Sequence, residues 1–169
     1  FAAEVEEDDP ASRMLLFRNQ GPTCQQVDDP SCVAVLDADP ELGVYPSSLQ
    51  GEGTGWCSAL AANEALMKPF VVVREGEGGA LTTVPYAEAW PDEMGRVATA
   101  LDAAADAAPE GEEALVAYLL AAAQAFRDNS WFTADAAWAA MSQDNSAWYL
   151  RIGPDEVYWD PCTRKAGFQ

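Results

Sequence analysis

Glu156 and Tyr158 offer the clearest chemistry in this sequence. They lie in Ile152-Gly153-Pro154-Asp155-Glu156-Val157-Tyr158-Trp159-Asp160-Pro161, directly after a short apolar run. In an extended segment, residues i and i+2 project to the same face. A carboxylate and a phenol at that spacing would reach one cleft together, the first supplying negative charge and the second an O–H donor. The competing reading is a solvated carboxylate beside a half-buried packing tyrosine. Trp159 would either line a subsite or cover the core. Gly153 and Pro154 shape the backbone before the pair, and Asp160 would brace the turn after it through neighbouring backbone amides.

Composition restricts what such a pair could serve. The 169 residues carry 28 acidic side chains against 9 basic ones, a formal net charge of −19. Phosphate binding needs a positive patch, so the sequence points away from nucleic acid. The acidic balance fits a strongly solvated surface, or a funnel that attracts cations such as the free amino terminus of a peptide. The sequence contains no histidine, which removes a Ser-His-Asp triad, a Cys-His pair and any histidine-ligated metal from within this chain. No apolar run approaches the roughly 20 residues of a membrane span.

The cysteines are Cys24, Cys32, Cys57 and Cys162, with no Cys-x-x-Cys pair to build a zinc ribbon. Cys24 and Cys32 flank Asp28, Asp29 and Pro30 and are expected to close a small disulfide ring. Cys57 and Cys162 could pair at long range. Disulfides imply an oxidising compartment, so a periplasmic or extracellular location is expected; four buried thiols in a cytoplasmic protein are the alternative. The start at Phe1 creates the expectation of a removed upstream segment. The end at Gln169, without a cap or turn signal, creates that of a missing portion.

The elements that must position the pair read as α+β. Residues 1–40 form an acidic, loop-rich extension with one possible short strand at 33–36, and residues 41–169 form the lobe. A helix is predicted over 58–67, capped by Ser58 and stopped before Pro69. The β-branched run 70–74 and its answer 81–84 make a hairpin across a glycine-bearing turn. Three helices follow, near 91–107, 112–127 and 133–142. The first carries a stripe of Met94, Val97, Leu101, Ala104 and Ala108. The second carries Leu115, Leu119, Ala122 and Phe126, flanked by Val116 and Leu120. The third carries Ala137, Trp138 and Met141, with Ser130 or Thr133 as cap. After a turn at Asp144-Asn145, residues 147–152 read as a strand that delivers Gly153–Pro161 and pairs with residues outside this chain.

Five segments in order carry a family resemblance: Gly43-Val44-Tyr45-Pro46, Pro69-Phe70-Val71-Val72-Val73-Arg74, Val84-Pro85-Tyr86-Ala87-Glu88-Ala89, Ala134-Asp135-Ala136-Ala137-Trp138-Ala139-Ala140-Met141 and Ile152–Pro161. Together they resemble the amino-terminal part of the dipeptidyl-peptidase-III family of zinc metallopeptidases, with the nearest likeness in its bacterial and Nudix-associated branch. The resemblance covers about residues 41–169 and is most specific at Ile152–Tyr158. It implies one lobe of a two-lobed metallopeptidase-like fold. It also implies a zinc cofactor bound by residues outside this chain, on a His-Glu-x-x-Gly-His or His-Glu-x-x-x-His helix plus a downstream glutamate. A companion chain or continuation would carry that helix, and a peptide would be the substrate. By the same resemblance Glu156 would hold the substrate's amino terminus, and Tyr158 would donate to the scissile carbonyl as it becomes an oxyanion. Tyr86 and Glu88 would be structural. The alternative is a secreted acidic binding or structural subunit that keeps the fold without catalysis.

Overall fold

Val71–Glu75 (β1) and Leu81–Pro85 (β2) pair antiparallel, with Val72 opposite Val84 and Val73 opposite Thr83. Successive strand residues point to opposite faces, and Val72 and Val73 are both fully buried. β1 therefore has apolar matter on both sides, as a β-branched run without polar interruption requires. Val72 enters a core built mainly by helices, and Val73 enters a second cluster with Tyr45, Leu60, Leu66 and Cys162. The hairpin turn runs through Gly78 and Gly79 at φ 73° and 78°, a backbone region that favours glycine.

This computed structural model describes residues 9–11, 13–14, 43–49, 55–157 and 160–168. The helices are Gly55–Leu60 (α1), Tyr86–Ala89 (α2), Pro91–Asp106 (α3), Glu113–Asp128 (α4) and Phe132–Ala139 (α5), with tight helical turns at Ser47–Leu49, Glu64–Met67 and Glu77–Gly79. The fold class is α+β. Among the described residues, no helix is long and apolar enough to cross a membrane. The expected Cys24–Cys32 ring and the strand at 33–36 fall outside the described residues.

α3 starts with Pro91 in its first turn and Asp92 and Glu93 close behind, where a missing N–H costs nothing and negative charge is favoured. Its buried stripe is Met94, Ala98, Leu101 and Ala105. This corrects the expected stripe: Val97 is half-buried and Ala104 is exposed. Both stripes share Met94 and Leu101, and the periodicity alone fits either. Ala98 on α3 and Ala122 and Ala123 on α4 are all at 0 % exposure and belong to the same core cluster. The expected α4 stripe is buried, and Tyr118 joins it. α4 ends on Asn129 at φ 60°, whose Nδ2 donates to Phe70 O at 3.0 Å and ties the helix to the entrance of β1.

Three local expectations are corrected. The helix over 58–67 breaks after Leu60, because Asn63 accepts from the Ala65 N–H through its side chain and starts a new tight turn. Ser58 lies inside α1 instead of capping it. α5 has Trp131 at its N-cap with no side-chain capping bond, so neither Ser130 nor Thr133 fills that role. Residues 147–152 join no ladder. The Ile152 N–H instead donates to the Tyr118 phenol oxygen at 2.6 Å, and that phenol donates to Ile152 O at 3.2 Å. A side chain here replaces a strand partner.

Beyond Ile152 the backbone turns at Gly153, which has φ 155°, and a β-carbon added there would lie 2.9 Å from Cζ3 of Trp131. Trp131 is buried and packs edge-on against Phe126, so it has little room to move. Replacing Gly153 by alanine should destabilise the chain by about 1–3 kcal/mol through overpacking and backbone strain. The denaturant midpoint measures this, and a midpoint equal to that of the unsubstituted chain would contradict the close contact.

Candidate functional site

The segment that carries Glu156 is paired within this chain. Pro154 bridges to Phe168 in antiparallel fashion. The Asp155 N–H donates to Gly167 O at 2.9 Å, and the Gly167 N–H donates to Glu156 O at 2.8 Å. The partner of this segment is the chain's own residues 167–168. The pairing also sets Asp155 and Glu156 together against the single residue Gly167. Two residues against one is the arrangement of a β-bulge, which re-aims side chains relative to simple alternation. Glu156 is exposed there. The extended course ends at Val157, whose carbonyl accepts from the Asp160 N–H at 3.1 Å, a bond of turn type. Tyr158 and Trp159 lie outside the described residues.

Arg151, which the sequence reading passed over, holds the approach to the bulge. Its NH1 lies 2.9 Å from Asp135 Oδ1 on α5. Its NH2 donates to Pro154 O at 3.3 Å. Its Nε is 3.2 Å from Asp155 Oδ1, an ion pair whose direction falls outside hydrogen-bond geometry. The guanidinium also lies over the Trp138 ring, 5.2 Å from its centroid. The Arg-to-Asp spacing of four was the available signal, but outside a helix it carries no geometric meaning.

The partner strip, residues 160–168, is fixed by buried polar groups and a disulfide. Asp160 braces the turn as expected: its Oδ2 accepts from the backbone N–H of Arg164 at 2.7 Å and of Lys165 at 3.0 Å. It also accepts from the Tyr45 hydroxyl at 3.1 Å. Lys165 is 2 % exposed. Its ammonium donates to Leu66 O at 2.5 Å and Lys68 O at 2.8 Å, and lies 5.6 Å from the Tyr45 ring centroid. The Tyr86 hydroxyl donates to Ala166 O at 3.1 Å, and the Ala166 N–H donates to Pro69 O at 3.0 Å. Cys57 and Cys162 form a disulfide, realising the long-range pairing left open by the sequence.

Burial dominates the electrostatics of this strip. It pushes the Lys165 ammonium down to about 8, against the opposing pull of Asp160. Burial first, and the Asp160 charge second, push the phenols of Tyr45 and Tyr86 well above the ordinary tyrosine range. These groups anchor the strip against which the exposed residues Asp155 and Glu156 pair. Two apolar hollows border the segment, one of about 280 Å³ walled by Trp90, Phe126 and Phe168 and one of about 530 Å³ that includes Leu119, Trp148 and Ile152.

Among the described residues, no group of three or more His, Cys, Asp or Glu side chains could hold a metal ion. With no histidine anywhere in the sequence, these residues do not fit a zinc site.

No family model matches the chain, and no curated protein matches it. Two solved structures are similar to it. The structure of dipeptidyl-peptidase III from Corallococcus sp. strain EGB is 27% identical with a TM-score of 0.67, over 93% of this chain and 29% of that one. The structure of DPP III from Caldithrix abyssi is 26% identical with a TM-score of 0.68, over 98% of this chain and 31% of that one. The chain has a dipeptidyl-peptidase-III-like fold and spans under a third of the length of these structures.

The buried ammonium gives stability a distinctive pH profile. Lys165 titrates near 8 when folded and near its ordinary higher value when unfolded. Between those values the unfolded chain binds more protons, so stability rises with pH. Tyr45 and Tyr86 are shifted upward and act oppositely once unfolded tyrosines ionise, near pH 10. Unfolding free energy should therefore climb by roughly 2 kcal/mol between pH 8 and pH 10 and fall above that. In Lys165→Met the climb should vanish while the fall remains; an identical climb in the variant would contradict the burial of this ammonium.

Proposed function

We propose that this chain supplies the substrate-amine and oxyanion contacts of a zinc-dependent, dipeptidyl-peptidase-like hydrolase that acts on peptides. The observation that carries the reading is an exposed Glu156 carboxylate on a β-bulge whose backbone is held on both sides, in a chain with a dipeptidyl-peptidase-III-like fold. A carboxylate so placed pairs with the ammonium of a peptide's amino terminus. Tyr158 donates from its phenol to the scissile carbonyl oxygen as negative charge develops there, lowering the barrier by stabilising the transition state more than the ground state. Trp159 lines a subsite for the residues next to the amine. The acidic surface raises the local concentration of cationic peptide termini.

Zinc belongs to residues outside this chain on this reading, carried by a continuation or a companion chain, and would supply Lewis-acid chemistry to the same cleft. Residues 41–169 form the lobe segment, with residues 1–40 as an acidic extension. The Cys57–Cys162 disulfide supports an oxidising location, periplasmic or extracellular.

The test uses the full-length protein that contains this chain. It should hold zinc by metal analysis and release dipeptides from peptides with free amino termini. Tyr158→Phe should lower kcat by about 10²–10³ with KM little changed. Glu156→Gln should raise KM for peptides with a free amine. An unchanged kcat in Tyr158→Phe would overturn the oxyanion role. A protein without zinc or hydrolysis would favour a secreted acidic binding or structural subunit.

A further inference from the structure

We propose that Arg151 is the positioning residue for the substrate-amine carboxylate, holding the bulge that carries Glu156 against α5. The inference rests on the assignment of Glu156 to the amine and adds a residue that touches neither substrate nor metal.

The argument begins with what fixes the bulge. On one side, Gly167 bonds both Asp155 and Glu156 through the backbone. On the other, Gly153 abuts the Trp131 ring. These contacts define where the backbone passes. They hold the Pro154–Asp155 peptide by its N–H, on the Gly167 side, and leave its carbonyl to Arg151. Arg151 meets that peptide at two points, the Pro154 carbonyl and the Asp155 carboxylate, and reaches a third on α5, the Asp135 carboxylate. Its charged plane is backed by Trp138 of the same helix. One side chain thus joins α5 to the two residues immediately before Glu156. A flat guanidinium reaches the three groups from three separate nitrogens, whereas an ammonium is a point charge that would hold one or two of them. The side chain is 21% exposed, with Asp135 and Asp155 at 49% and 36%, so the network is partly shielded and less weakened by solvent than an open surface pair.

The arrangement also separates two adjacent acids. With Asp155 engaged by Arg151, Glu156 alone is offered to an incoming ammonium. Without Arg151, Asp155 and Glu156 would compete for the same charge in a bulge no longer held to α5.

The test uses the full-length protein and reads two quantities. Hydrogen exchange at the Asp155 and Gly167 amides reports on the bulge, and steady-state kinetics on free-amine peptides report on its use. Arg151→Met should speed exchange at those two amides by about tenfold or more relative to α4 amides, because local opening no longer breaks the guanidinium contacts. It should raise KM by about tenfold, with a smaller change in kcat. Arg151→Lys should recover part of both effects. In the double variant with Glu156→Gln, KM should rise no further than in Glu156→Gln alone, since both changes remove one interaction. Arg127→Met, which breaks the exposed pair with Asp102, serves as a control and should leave exchange at the bulge and KM unchanged.

Unchanged exchange in Arg151→Met overturns the positioning role whatever the kinetics show. Faster exchange with KM effects that add to those of Glu156→Gln also overturns it, because Arg151 then acts on binding by another route. Should Glu156→Gln leave KM unchanged, the amine assignment fails and the catalytic consequence of Arg151 fails with it. The exchange data still decide separately whether Arg151 holds the bulge.

Discussion

A lysine ammonium buried at 2 % exposure is expensive to desolvate, and Lys165 persists because its surroundings compensate. Two carbonyls, of Leu66 and Lys68, accept from it at the end of a tight turn where the backbone has run out of partners. Asp160 lies near enough to oppose the burial effect on its protonation, while spending its own oxygen on Tyr45 and two backbone amides. The Cys57–Cys162 bridge holds the same strip to α1, across a sequence separation of 105 residues. Each anchor would leave a buried polar group unsatisfied if the strip moved away, and such groups are costly. Residues 160–168 therefore stay where the bulge needs a partner, and the position of Glu156 depends on them.

The rest of the lobe gives that strip something to rest on. β1 is the seam between two clusters: Val72 belongs to the helical core and Val73 to the cluster around Tyr45 and Cys162. The Phe70 and Pro69 carbonyls at the start of β1 accept from Asn129 of α4 and from the Ala166 amide. One short stretch of backbone thereby locates the end of a core helix and the carboxyl-terminal strip in the same frame. Phe168 extends the connection by stacking on Phe126 with ring centroids 5.8 Å apart.

Features that depend on neighbours in sequence were legible in the sequence. The hairpin follows from β-branched runs around glycines, α3 from its proline start, and the inward face of α4 from Leu115, Leu119, Ala122 and Phe126. The ordered motifs pointed to the family whose fold the chain shares. Features set by distant partners were not legible. The rotation of α3 is set by its packing into the core, and no periodicity ranks Ala98 above Val97. Residues 147–152 have strand-forming composition, but the Tyr118 phenol occupies the Ile152 backbone groups that a strand partner would use. Lys165 is one of two lysines in the sequence, and only the fold reveals the carbonyls that draw it inside. The bulge at Asp155–Glu156 leaves no mark in the sequence.

In this account the chain contributes a carboxylate held in place by groups that do no chemistry themselves. Buried polar contacts fix the strip, the strip fixes one side of the bulge, and Arg151 fixes the other. The most direct test is a crystal structure of the full-length protein with a slowly hydrolysed peptide bound. The account predicts the peptide's amino nitrogen at about 2.7–2.9 Å from a Glu156 carboxylate oxygen, with the metal in the same cleft. A peptide seated elsewhere, with Glu156 facing open solvent away from both peptide and metal, would contradict it.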